Sequence, residues 1–140
     1  MEEIMGSTIV AKAAELLSKC EVVTIASISE MGYPRISVMS KNSADGISTV
    51  WLATGTDSQK TVNFRKNPKA SVCYYLNHDS VTLQGNVEVI VDAVTKKKLW
   101  QEWYIQHFPK GAEDPTYCLL KFTTTEATCW IDHCFETHKI

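Results

Sequence analysis

The chain is divided into short segments in which apolar residues recur at every second position, and this constrains its fold more than any other feature. The segments cover residues 22–28, 35–41, 47–54, 69–76, 80–91, 117–122 and 127–132. Val, Ile, Thr and aromatic residues dominate them, as the pleated strand favours. Turn chemistry separates them. Met31-Gly32-Tyr33-Pro34 supplies a permissive glycine and a proline that fixes φ; residues 42–46 form a polar turn; Asn77-His78-Asp79 turns the chain again. Gly85-Asn86 inside the long fifth segment predicts a bulge. So many strands joined by short connections predict an antiparallel barrel, closed or partly closed, with helices packed against it.

Three stretches carry helical periodicity instead. In residues 7–19, Ile9, Ala13, Leu16 and Leu17 share one stripe with Cys20, and Ser7 or Thr8 is placed to cap it. A short helix is predicted from Ser58 to Lys66, stopped by Asn67-Pro68. A third is predicted over residues 93–107, with Leu99, Trp100, Trp103 and Tyr104 on its stripe and Pro109 and Gly111 after it.

The 140 residues suit one compact domain, and 44% hydrophobic content fills a modest core that a partner subunit would extend. A net charge of −2 argues against bulk attraction to nucleic acid or anionic membrane. No apolar run nears the roughly 20 residues of a membrane helix, and Met1-Glu2-Glu3-Ile4 is unlike a signal peptide. A cytoplasmic location is the expectation. Five scattered cysteines without a Cys-x-x-Cys pair argue against a disulfide framework. Cys20, Cys73 and Cys118 lie in apolar surroundings and read as small core residues.

The segment from Trp51 to Lys60 carries the chemistry. An apolar strand breaks at Gly55 and passes through hydroxyl residues into the helix at Ser58. The free N–H groups and positive dipole end of a helix N-terminus attract anions. Thr54, Thr56 and Ser58 add hydroxyls and Lys60 a full charge, which makes a candidate phosphate seat. The same residues also suit a plain capped helix with a solvated lysine, and Asp57 places negative charge beside the proposed anion. A Walker A loop is excluded because Gly-Lys-Ser/Thr is missing.

Trp100 and Trp103 read as core or dimer packing, whereas Trp130, on a terminal strand beside Thr128 and Asp132, is equally suited to facing a ligand. Cys129, His133, Cys134 and His138 are zinc-type residues, but their spacing fits no common finger, so no metal is expected. His78 and His107 read as solvated turn residues, and no catalytic acid or base is singled out.

The chain resembles the pyridoxamine 5'-phosphate oxidase-like proteins, the flavin-binding split barrels, and is most similar to their general stress protein 26-like subgroup. The resemblance spans the first helix through Trp130. It is carried by Gly32-Tyr33-Pro34-Arg35, Trp51-Leu52-Ala53-Thr54, Ser58-Gln59-Lys60, Asn67-Pro68 and Gly85, in that order. It implies a mainly β split barrel of antiparallel Greek-key type with flanking helices, forming a homodimer with FMN in two grooves at the subunit interface. Ser37, Val38 and Met39 match the strand that runs along the flavin ring. Thr54 matches the threonine that ends the third strand; Ser58, Gln59 and Lys60 match the phosphate-gripping element. Trp130 matches the tryptophan that reaches the flavin of the opposite subunit.

Departures from the oxidase pattern narrow the expected activity. The oxidase's arginines near Ser37 and at Gln59 are missing here, and no arginine-rich motif follows Trp130. The resemblance therefore implies weaker phosphate grip and argues against pyridoxamine phosphate oxidation. The expected function is an FMN-binding oxidoreductase of unassigned small-molecule substrate. The alternatives are a flavin carrier or sensor linked to stress, a split barrel holding haem or the deazaflavin F420, and a purely structural dimer.

Overall fold

The computed structural model describes residues 2–140, with side chains from residue 8 onward. Seven strands form one antiparallel sheet: β1 (Val22–Ile28), β2 (Pro34–Asp45), β3 (Thr49–Gly55), β4 (Lys69–Leu76), β5 (Asp79–Ile90), β6 (Tyr117–Ile131) and β7 (Cys134–Lys139). Their order is β3-β2-β1-β4-β5-β6-β7, and β3 also pairs with β6. That last pairing, Thr49–Gly55 against Tyr117–Thr123, closes the first six strands into a barrel. Strand β4 returns beside β1 after the β1-β2-β3 meander, which is the Greek-key step. This is the split-barrel architecture.

Alternation explains why the barrel forms. Val23 and Ile25 of β1, Val50 and Leu52 of β3, Val72 and Tyr74 of β4, Val81 and Leu83 of β5, and Leu120 and Phe122 of β6 all point inward and are buried. The helix α1 (Glu2–Lys19) lays Ile9, Ala13, Leu16 and Leu17 on this core. The Tyr74 hydroxyl, inside the barrel, donates to the Ala13 carbonyl at 2.8 Å and satisfies both buried groups. Helix α2 (Gln59–Lys66) joins β3 to β4. Its N-cap is Ser58, whose side chain accepts from the Thr61 N–H, and Asn67 ends it.

Five local expectations are corrected. Helix α1 begins at Glu2, so neither Ser7 nor Thr8 is its cap. Strand β2 continues to Asp45 instead of turning at Asn42, with an irregularity between Lys41 and Ser43. The Asn42 amide turns aside there and donates to the Leu99 carbonyl and the Tyr104 hydroxyl, both at 2.8 Å. The third correction lies beside that contact. The helix predicted over residues 93–107 stops as α3 (Ala93–Lys98), and its C-cap, Leu99, is the residue whose carbonyl accepts from Asn42. A 3-10 turn, Glu102–Gln106, follows the break.

Fourth, the two last predicted strands are one. Threonines 123–125, read as a gap, are β-branched strand residues: the Thr124 hydroxyl donates to the Ile47 carbonyl and that of Thr125 to the Gln84 carbonyl. Fifth, the chain end adds β7. Asp132 and His133 both take positive φ, 53° and 63°, the signature of a two-residue hairpin turn. The ladder does shift beside Gly85, between Gln84 and Gly85, but the bulged strand is β6: Gln84 pairs with Glu126 and Gly85 with Thr124, which leaves Thr125 as the extra residue.

Residues 92–116 fold over the outside of β3 and β6. Tyr104, Phe108, Tyr117 and Leu119 form a second buried cluster there, with Trp51, Leu99 and Trp100 packed against it. Trp100 packs edge-to-face on Tyr104 and Tyr117 at 5.5 and 5.2 Å, a core role as expected. Trp103 lies at the rim, edge-on to Tyr104 at 4.7 Å.

The outer surface of β2, β1, β4, β5, β6 and β7 is bare. Cross-strand partners form rows over it: Val38, Thr24, Cys73, Thr82, Thr128 and Thr137 in one, and Tyr75, Ser80, Trp130 and Phe135 in the next. Val38, Tyr75 and Phe135 are 72%, 74% and 70% exposed. Among the described residues, no helix is long and apolar enough to cross a membrane.

Candidate functional site

Thr54, Ser58 and Lys60 come together where β3 ends and α2 begins. Thr54 is buried, and its hydroxyl lies 3.4 Å from that of Ser58 and accepts from the Lys60 ammonium at 3.3 Å. Ser58 is in turn 2.7 Å from the Thr61 hydroxyl, which donates to the Gly55 carbonyl at 2.8 Å. The strand end and the helix start are thus laced by hydroxyls.

The electrostatics are one-sided. Lys60 is half-buried, and burial first and the Arg35 charge second hold its ammonium below the ordinary lysine value. Among the described residues, no carboxylate lies within ion-pair distance of Lys60 or Arg35. Asp57 is exposed and makes no such pair. Cys118, opposite Thr54 in the β3–β6 ladder, lies buried beneath the group. Burial pushes its thiol up and keeps it protonated, which makes it a packing residue.

The other expected site residues are distributed differently. Gln59 turns back along its helix, donating to the Asn63 side chain at 2.9 Å. Ser37 and Met39 are half-buried on one face of β2, whereas Val38 points to the bare outer face. There Val38 lines a groove of about 790 Å³ with Thr24, Cys73 and Tyr75. Trp130 stands far along β6 from Cys118 and is 39% exposed. Its ring neighbours are Phe135 and His133, at 6.4 and 6.2 Å, and it shares no contact with the Lys60 group of its own chain. The seat and the tryptophan therefore belong to different ends of one subunit.

Three residues that sequence reasoning left out belong to this group. Thr61 and Asn63 are buried polar residues inside a short helix. The Asn63 amide donates at 3.0 Å to Ser27 on β1, fastening α2 to the sheet. Arg35 was legible in one respect: alternation along β2 sets it on the same face as Ser37.

Of the cysteines, Cys20, Cys118 and Cys129 are buried, Cys73 is half-buried and Cys134 exposed. Among the described residues, no three His, Cys, Asp or Glu side chains converge as metal ligands.

The sequence model of the pyridoxamine 5'-phosphate oxidase family matches residues 9–131, from the core face of α1 to the end of β6. The chain belongs to this family. Among solved structures it is similar to a Clostridium acetobutylicum protein related to general stress protein 26. That pair shares 27% identity over 95% of both chains, with a TM-score of 0.85. The fold recurs in an FMN-binding, oxidase-related protein of Nostoc punctiforme, at 14% identity and TM-score 0.66, over 96% of this chain and 94% of that one. It recurs also in a haem-binding protein of Mycobacterium smegmatis, at 13% identity and TM-score 0.74, over 94% of this chain and 57% of that one. No curated protein sequence matches the chain.

Proposed function

We propose that this member of the family is an FMN-binding flavoprotein, working as a homodimer and serving as an oxidoreductase on a small molecule. The observation that carries the reading is the Lys60 ammonium. It is half-buried, meets a hydroxyl and no carboxylate, and stands beside a second cation. Such a donor set fits a phosphate dianion, which forms strong charge-assisted hydrogen bonds. The start of α2 adds backbone N–H groups, and the hydroxyls of Thr54 and Ser58 complete the seat.

The exposed aromatic and aliphatic surface supports the dimer. A contiguous apolar face on a small protein marks an interaction site, and a second copy of this face would cover Val38, Tyr75 and Phe135. It would also bring Trp130 of one subunit toward a groove of the other. Strand β2 then lies where a flat ring can rest on it, with Ser37, Val38 and Met39 lining the ring through their backbone. Bound FMN would supply reversible one- or two-electron transfer. The protein's part is to hold the phosphate at Lys60, orient the ring and exclude water from it.

The test is a visible spectrum of the purified protein followed by FMN titration. The expected result is the paired bands of oxidised flavin, with Lys60→Ala weakening FMN about tenfold or more, as for loss of a charged hydrogen bond. Equal affinity in wild type and variant would remove the reading. A Soret band would instead place the protein with its haem-binding structural neighbour. Flavin binding without turnover by NAD(P)H or oxygen would make it a carrier.

A further inference from the structure

We infer that Arg35 is the second phosphate ligand, reaching from the start of β2 to the dianion that Lys60 takes from α2. The inference rests on the flavin reading and extends it to a residue outside the 37–39 and 58–60 groups.

Register and hydrogen bonding place Arg35 there. Arg35 is the cross-strand partner of Ser27, so the two side chains leave the same face of the sheet, with Cβ atoms about 5 Å apart. Ser27 is buried and accepts from the Asn63 amide at 3.0 Å. Asn63 follows Lys60 by three residues on a helix, so both lie on one face of α2. The Ser27–Asn63 bond thus acts as a rivet: Lys60 stands one helical turn from it, and Arg35 one cross-strand step from it. The register and the Ser27–Asn63 bond bring Arg35 near enough to Lys60 for its charge to act on the ammonium, second to burial.

Among the described residues, no carboxylate pairs with either cation. Glu30, close to Arg35 in sequence, is engaged by Lys66. Asn63 spends its amide on Gln59 and Ser27. Two cations held together without a carboxylate repel each other, and an anion with two charges relieves the repulsion at both. A phosphate monoester carries that charge. A guanidinium is always protonated and presents two parallel N–H groups that match two phosphate oxygens. An uncharged alcohol in the same place gives Arg35 nothing to pair with. Arg35 therefore discriminates FMN from riboflavin, which is otherwise the same molecule.

The experiment titrates the dimer with FMN and with riboflavin, in wild type, Arg35→Ala, Arg35→Lys and Lys60→Ala, and follows quenching of flavin fluorescence. Arg35 is exposed, so its variants fold. The expected result is a tenfold or greater loss of FMN affinity in Arg35→Ala, riboflavin affinity unchanged, and partial recovery in Arg35→Lys. If Arg35→Ala binds FMN as wild type does while Lys60→Ala does not, Arg35 is no ligand and the flavin reading stands. An equal loss for both flavins also overturns the inference, since it places Arg35 at the ring. If wild type binds neither flavin, the flavin reading fails. Inorganic phosphate followed by phosphorus NMR then decides the seat: broadening in wild type and not in Arg35→Ala upholds it, and identical spectra reject it.

Discussion

The barrel has two outer surfaces, and they are finished differently. Over β3 and the first half of β6, residues 92–116 wrap back and bury Tyr104, Tyr117 and Leu119. Over β1, the first half of β2, β4 and the second half of β6, nothing among the described residues returns, and Val38, Tyr75 and Phe135 stand in the open. Both surfaces are aromatic and β-branched, so composition does not distinguish them. What differs is where the cover comes from: one surface is closed within the chain, and the proposed homodimer closes the other between chains.

Each region also has its own lysine. Lys96, under the wrap, is buried but fully engaged: its ammonium donates to the Asp114 carbonyl at 2.9 Å and lies 5.2 Å from the centre of the Tyr117 ring. Among the described residues, Lys60 meets the Thr54 hydroxyl at 3.3 Å and no carboxylate, and the Arg35 charge acts on it. The first lysine is part of the folded structure. The second is the one to which the proposed function assigns a phosphate.

The comparison breaks first at Tyr117. If the wrap is core, Tyr117→Ala, which empties a fully buried ring site and orphans the Lys96 carbonyl, destabilises the fold by about 3–5 kcal/mol in urea unfolding. A loss below 1 kcal/mol would make the wrap a loose lid. The next largest effect belongs to the bare surface. Val38→Asp is expected to change subunit stability by about 1 kcal/mol at most while converting the dimer to monomer in sedimentation and weakening FMN at least tenfold. A dimer that survives with its flavin places the interface elsewhere.

The smallest expected effect is in pH. The Lys60 ammonium is held below the ordinary lysine value of 10.5, so it discharges earlier than a solvated lysine as pH rises. Phosphate binds the charged form. FMN affinity should therefore decline through the alkaline range, by about tenfold or less for each unit of pH, and Lys60→Arg should flatten the decline. A wild-type profile as flat as that of Lys60→Arg would mean that Lys60 carries no phosphate.

The strands were legible because one face of each had to be buried, and a period of two survives any later packing. Helix α3 was misread for the opposite reason. Leu99, Trp100 and Tyr104 keep helical spacing, yet the helix ends at Lys98, and a distant amide, Asn42, donates to the carbonyl of the residue that follows. A contact between residues 57 positions apart leaves no local mark. The site divided along the same line. Thr54, Ser58 and Lys60 are near neighbours in sequence and were found together, whereas Arg35 joins them only through the β1–β2 register and the Ser27–Asn63 bond. The hairpin that makes β7 has a signal in the Asp132-His133 pair and the alternation after it, but His133, Cys134 and His138 draw the sequence reading to metal-ligand spacing instead of to a strand.

The seam between β3 and β6 has a consequence for the birth of the molecule. Its two sides are separated by more than sixty residues, so the second is made well after the first. Until it emerges from the ribosome, β3 and β5 each offer a row of unsatisfied amides to any passing strand. The barrel can seal only once β6 has been made, a long-range step that makes its folding slow and gives chaperones their interval to act.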